Sequence, residues 1–245
     1  MRRTPYRIGP AAPARLDRPS GPVTLDPRVS KPEPSLEPGL FSPRARFVPW
    51  RLLSNPFVWE LSRRGLDLAF GLYRRRIRLM REWNLLAGNP SVLDVGCGIG
   101  SYARITEGRY VGVDLDEAYI AYARKRHRRP NQSFECMDAG ALEATNETFD
   151  LVLVIDLLHH LPDDRASRLL EVAGRLTTGR VLCLEPISDQ PKALARWIRD
   201  RDRGEHMRSR VELQDVLERA PLTILRQQDL PIGPIATTAT LFERR

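Results

Sequence analysis

Val92-Leu93-Asp94-Val95-Gly96-Cys97-Gly98-Ile99-Gly100-Ser101 is the stretch that decides how this chain folds. Val92, Leu93 and Val95 have the β-branched and apolar character of a buried strand, and that strand ends in an acid, Asp94. Gly96, Gly98 and Gly100 follow, allowing backbone angles and close approaches that a Cβ would forbid. The pattern predicts a strand, a glycine turn and then a helix, an arrangement that lets a nucleotide-like ligand lie against bare backbone. Three glycines alone would be read better as an ordinary tight turn.

Working outward, the acids separate the alternatives. A dinucleotide loop faces a pyrophosphate and is usually spaced G-x-G-x-x-G. Here the spacing is G-x-G-x-G, and Asp94 would repel a pyrophosphate. It suits a ligand carrying an ammonium and a sulfonium, which describes S-adenosylmethionine (SAM). A second apolar run, Arg109–Asp114, ends in Asp114, placed to accept ribose hydroxyls. Asp138 follows the short strand Ser133–Met137 and can accept from an adenine amino group. A fourth strand, Phe149–Ile155, runs into Asp156-Leu157-Leu158-His159-His160-Leu161-Pro162. Taken in order, these acids stand at successive strand ends, where α/β sheets bind their ligands.

With these residues in place, the chain from Val92 to about Arg245 resembles a class I SAM-dependent methyltransferase of the metal-independent, small-molecule type. Asp94–Gly100 is similar to the family's first motif, Asp114 to its ribose acid and Asp138 to its adenine-side acid. The run through Leu158–Pro162 resembles the strand-four motif of small-molecule members. The resemblance implies a Rossmann-like, doubly wound α/β fold with a seven-stranded, mostly parallel sheet, its last strand antiparallel, and helices on both faces. It implies cofactor contacts at Asp94, Gly96, Cys97, Gly98, Gly100, Asp114, Leu115, Asp138, Ala139 and Ile155. It is specific for cofactor and fold and poorly specific for substrate.

Composition narrows the function classes. The 245 residues are 42% hydrophobic, enough for one packed domain with extensions. No apolar run reaches membrane-span length. Cys97, Cys136 and Cys183 are odd in number and lack metal or disulfide spacing, which suggests a reducing cytoplasm and no metal. The net charge of +8 is unevenly placed: residues 1–45 carry +4, 46–86 carry +6 and 87–245 carry −2. A catalytic region that is slightly acidic does not favour a nucleic-acid partner. A small or lipid-like acceptor is expected.

Three regions follow from the patterns. Residues 1–47 hold ten prolines and no apolar period, and read as an extended or disordered tail. Residues 48–88 form a helical extension, with apolar residues Val58, Leu61, Ala69, Leu72, Ile77, Met80 and Trp83 near the helical period over Pro56–Leu86. Gly65 and Gly71 mark a break or close approach. The arginines here, Arg63, Arg64, Arg74, Arg75, Arg76, Arg78 and Arg81, are read as facing water on a helical layer that caps cofactor and substrate. Peripheral contact with an anionic membrane is the alternative. Residues 89–245 form the methyltransferase domain. Further strands are expected at Arg180–Glu185, Leu222–Asp229 and Ala236–Glu243, with helices at Tyr102–Thr106, Glu117–Arg126, Asp163–Arg175 and Val211–Glu218. Lys192–Arg210 reads either as an insertion shaping the substrate pocket or as a solvated charged segment.

Methyl transfer from a sulfonium needs alignment and exclusion of water more than acid–base help. His159 and His160 are the candidates if a general base is required, with structural roles as the alternative. Asp156, His160 and His206 are candidate substrate contacts. The fourth strand lacks the proline-proline-aromatic signature of nucleic-acid amino methyltransferases. The expected activity is transfer of a methyl group to an O, N or C atom of a small or lipid-like molecule. A SAM-binding module without catalysis is the rival reading. A nicotinamide oxidoreductase is disfavoured by Asp94 and the loop spacing.

Overall fold

The computed structural model describes residues 56–189, 206–232 and 235–245. The tail of 1–47 and most of the Lys192–Arg210 insertion lie outside the described residues. Two helices lead, α1 (Pro56–Phe70) and α2 (Leu72–Glu82). Then come β1 (Val92–Val95), β2 (Tyr110–Asp114), α3 (Glu117–Arg126), β3 (Gln132–Cys136) and β4 (Phe149–Ile155). They are followed by α4 (Asp163–Arg175), β5 (Thr177–Pro186), α5 (Arg210–Arg219), β6 (Leu222–Ile232) and β7 (Ile235–Arg244). Short 3₁₀ turns at Ala139–Ala144 and Leu158–His160 follow β3 and β4.

The strands form one seven-stranded sheet in the order β3-β2-β1-β4-β5-β7-β6. β1 pairs in parallel with both β2 and β4, and β7 runs antiparallel between β5 and β6. All four β1 residues are buried, as expected of a central strand covered on both faces. Leu93, Val95, Val111 and Val152 pack with α4 and α5 on one face. Val92, Tyr110, Leu151 and Leu153 pack with Leu79, Met80 and Trp83 from α2 and its end, and with Ile120 and Ala123 of α3, on the other. No helix among the described residues is long and apolar enough to cross a membrane.

Four expectations are corrected. The helix over Tyr102–Thr106 is a series of turns, closed by Gly100 N to Cys97 O, Ala103 N to Gly100 O and Ile105 N to Tyr102 O. Gly96, Gly98 and Gly100 sit at φ of 74°, 54° and 75°, outside the right-handed helical region, so the chain leaves the loop in three-residue steps. The break between the first two helices is at Gly71 alone, at φ 68°, while Gly65 lies within α1. Arg76 does not face water: it is buried beneath α2. Leu61 and Ala69 also depart from the expected packed stripe, since both are exposed.

Candidate functional site

The carboxyl ends of β1, β2 and β3 carry the three expected acids, each doing a different job. Asp94 is 1% exposed and accepts a hydrogen bond of 2.5 Å from the Tyr110 hydroxyl. Burial raises its pKa to about 7; the Tyr110 bond opposes the shift and the Asp114 charge adds to it. Asp94 thus lies beneath the loop, committed to Tyr110. Asp114 accepts from Gly98 N at 2.8 Å and from Asp116 N at 2.9 Å, so it holds the glycine loop in place. Burial raises its pKa despite those two backbone donors. A carboxylate offers about four acceptor positions, so these two bonds do not exhaust it.

Asp138 caps the 3₁₀ turn by accepting from Gly140 N at 2.7 Å through Oδ1. Its Oδ2 is buried with no hydrogen-bond partner. A buried acceptor in that condition is costly, and a ligand donor relieves it. Leu115, next to Asp114, is 38% exposed, an apolar face beside the same strand tips. Ala139 and Ile155 are buried, as is Cys97, whose Sγ contacts Gly98 O at 3.6 Å. Cys97 packs where a side chain on Gly112 would have to go, with 2.8 Å between its Sγ and an added Cβ. Burial pushes the Cys97 thiol well up, which rules against a nucleophilic thiolate.

The loop glycines differ in what surrounds them. A Cβ on Gly100 would come within 2.7 Å of Phe134, so packing excludes one. A Cβ on Gly98 would meet nothing closer than Tyr119 at 3.9 Å. Gly98 thus presents backbone to open space beside Asp114. This cradle, the orphaned Asp138 oxygen and the remaining Asp114 acceptors together fit an adenosine with a cationic tail.

Beyond β4 the picture changes. Asp156 stands at φ 51° and is held by Arg76 through two bonds of 2.7 Å. Arg76 also donates to the Tyr102 hydroxyl at 3.2 Å, while its Nε is buried without a partner. Burial opposes the Arg76 charge, but Asp156 more than offsets it and holds the guanidinium well above its ordinary range. Asp156 is therefore engaged with α2. Tyr73 of α2 meets Ser101 at 2.9 Å, so this helix reaches both the glycine loop and the β4 tip.

His159 is buried, with Nδ1 at 2.8 Å from Glu185 Oε2. Glu185 also accepts from Leu157 N and Leu158 N, both at 2.7 Å. This buried carboxylate, at the end of β5, organises the turn and was missed by sequence reading. Its signal was an acid inside an apolar strand just before Pro186. Arg208, also missed, donates to Leu158 O at 2.8 Å and Leu161 O at 2.6 Å, and pairs with Asp163. His160 is less buried than His159, with ring centroids 4.2 Å apart. The His206 backbone N donates to His159 O at 3.0 Å, which places His206 against the same turn. His159, His160 and His206 are thus brought together, whereas Asp94, Asp114 and Asp138 belong to the other half.

Residues 92–179 match the family model described as a methyltransferase domain. The phthiotriol/phenolphthiotriol dimycocerosates methyltransferase of Mycobacterium tuberculosis is 40% identical over 97 residues, covering 38% of this chain and 36% of that protein. The ubiquinone biosynthesis O-methyltransferase of Coxiella burnetii is 32% identical over 111 residues, covering 41% of this chain and 47% of that one. The chain thus spans less than half the length of these curated relatives. Among solved structures, magnesium protoporphyrin IX methyltransferase (ChlM) of Synechocystis PCC 6803 with bound SAM superposes with a TM-score of 0.51 at 18% identity, covering 74% of this chain and 79% of that one. At that identity the likeness speaks for the fold alone. Over residues 92–179 the chain thus resembles methyltransferase domains in sequence, and in fold it resembles a methyltransferase solved with SAM.

Proposed function

We propose that this protein transfers the methyl group of S-adenosylmethionine to an oxygen, nitrogen or carbon of a small or lipid-like acceptor. The observation that carries the reading is the buried, unpartnered Oδ2 of Asp138 beside a glycine cradle and the Asp114 carboxylate. In this reading Asp114 takes the ribose hydroxyls, Leu115 covers the adenine face and Asp138 accepts from the adenine amino group. Gly96, Cys97, Gly98 and Gly100 lie along the cationic tail, with Asp94 beneath. Bound there, the cofactor supplies an activated methyl group on a sulfonium. The acceptor would enter beside the β4 tip. His160, the less buried of the histidine pair, is the residue placed to take a proton from a hydroxyl acceptor. His159, fixed by Glu185, is a positioning residue. The helices within residues 48–88 act as the cap that excludes water, with α2 spanning loop and β4 tip. A cytoplasmic site of action and transfer that persists in chelator belong to the same reading. The lipid-like class is supported by the two curated relatives, one named for phthiotriol dimycocerosates and one for ubiquinone biosynthesis.

Calorimetry with SAM, and radiolabelled methyl transfer into an organic-solvent extract of cells, test it together. The expected result is SAM binding that weakens by about 1–3 kcal/mol in Asp114→Ala, with label recovered in the extract. Binding without any transfer would favour the non-catalytic module. Unchanged affinity in a folded Asp114→Ala variant would overturn the assigned site.

A further inference from the structure

The first two helices carry a surface that the site does not use. In α1, Phe57, Leu61, Arg64 and Leu68 recur at helical spacing and share one face. That face points outward: Leu61 is 62% exposed and Leu68 is 83% exposed. A soluble amphipathic helix ordinarily turns such a stripe inward. The orientation is fixed by polar contacts on α1's other sides. Glu60 bonds Tyr122 and pairs with Arg126 of α3, and Asp67 accepts from Tyr73 N at 2.8 Å at the start of α2.

Beside the stripe lies a ribbon of positive charge. Arg74, Arg78 and Arg81 recur at helical spacing on α2 and are all exposed. Arg78 and Arg81 pair with no acid among the described residues. Leu68, Phe70, Arg74, Arg75 and Arg78 line a common cleft of about 450 Å³, so stripe and ribbon form one continuous surface. Pro56–Glu82 holds seven arginines against three acids.

We propose that this surface docks on an anionic phospholipid bilayer. A partner must accept leucines and arginines side by side. A nucleic acid offers the phosphates but no place for Leu61 and Leu68. A bilayer offers both, with acyl chains below a layer of negative headgroups. The stripe spans about 16 Å along the helix axis, a length that lies in the interface plane rather than crossing it. Because α2 also touches the glycine loop and the β4 tip, docking would hold the carboxyl edge of the sheet close to the membrane. The proposal concerns binding alone and stands whether or not the acceptor is a lipid.

The test is co-sedimentation of the full chain with vesicles of phosphatidylcholine, with and without phosphatidylglycerol. Salt-sensitive binding to the anionic vesicles only is expected. Arg74→Gln, Arg78→Gln and Arg81→Gln together should weaken it roughly a hundredfold. Leu61→Asp with Leu68→Asp should abolish it. Both variants should retain the parent's circular dichroism and melting, since none of these side chains is buried. Equal binding to neutral vesicles, or no binding by the parent, overturns the proposal. So does a dimer in light scattering that the leucine variant dissolves while vesicles bind nothing, since a second copy would then cover the face.

Discussion

On the β2–β3 side of β1, polar groups at the strand tips are tied to backbone close by in sequence. Asp114 holds Asp116 N and Gly98 N, and Asp138 holds Gly140 N. On the β4–β5 side they are tied to side chains far away. Asp156 is held by Arg76, eighty residues earlier, the Leu158 carbonyl by Arg208, fifty residues later, and His159 by Glu185, twenty-six residues later. The first half leaves acceptors available, and one of them, Asp138 Oδ2, has no partner at all. The second half neutralises its own charges. Such a division suits a site in which one half recognises a fixed polar cofactor and the other presents a mostly neutral wall to a varied acceptor.

The comparison breaks most visibly at Glu185. Its carboxylate satisfies three backbone N–H groups of the Leu158 turn and the His159 ring while 1% exposed. Glu185→Ala should lower unfolding free energy by about 3–5 kcal/mol, because several buried donors lose their acceptor at once. Urea denaturation measures this. A loss below about 1 kcal/mol would mean that the turn re-forms around water and that the β4–β5 half is not organised by this residue.

Asp94 sharpens the contrast from the other side. Its pKa is raised from 3.8 to about 7 by burial, so the folded protein retains a proton that the unfolded chain releases above pH 4. The sign follows directly: stability falls as pH rises between about 4 and 7, because the native state binds more protons there. For this one group the loss reaches roughly 4 kcal/mol by pH 8. Asp94→Asn should remove that slope, so that the stability difference between variant and parent grows in the variant's favour as pH rises. Parallel pH–stability curves for the two proteins would show that Asp94 stays ionised throughout.

The β4 half of the site was hard to read in advance for a related physical reason. Strand-end acids announce themselves locally: Asp94, Asp114 and Asp138 each follow a short apolar run, and the sheet order follows from the alternation of strands and helices. Arg76 gives no such signal. It sits in a run of three arginines on an amphipathic helix, and only the tertiary contact with Asp156 distinguishes it from its solvated neighbours. Glu185 and Arg208 likewise find partners that no window of sequence contains. The outward apolar face of α1 was misread because helical period gives the spacing of a stripe but not the direction it points. The missing helix after the glycine loop followed from three positive φ angles in five residues, which spacing alone suggested only as permission.

Breaking the Arg76–Asp156 pair should have an intermediate effect. Arg76→Met removes a buried charge but leaves Asp156, itself only partly exposed, without its counter-ion. We expect a loss of about 2–3 kcal/mol, less than for a fully buried pair. Asp156→Asn in the same background should recover part of it, giving a positive coupling energy in a double-mutant cycle. Additive effects would mean that the two residues act separately and that α2 is held to the β4 tip by packing alone.

The smallest effect tests the finest feature of the cofactor half. In Asp138, Oδ1 is committed to Gly140 N at 2.7 Å, and Oδ2 is the oxygen without a partner. In Asp138→Asn the amide oxygen should keep the Gly140 bond, since only an acceptor can serve there. The amide nitrogen is then forced into the place of Oδ2, turning an acceptor into two donors. Facing an adenine amino group, that change should weaken S-adenosylhomocysteine binding by about 1–1.5 kcal/mol, near tenfold. Facing the ring carbonyl of an inosine analogue, the same nitrogen should form a hydrogen bond instead. Preference between the two ligands should therefore shift toward the inosine form, with protein stability little changed. Because a merely structural role for Asp138 would weaken both ligands alike, the ratio of the two affinities is the informative quantity. If it does not move, the base edge lies elsewhere along the β2–β3 tips.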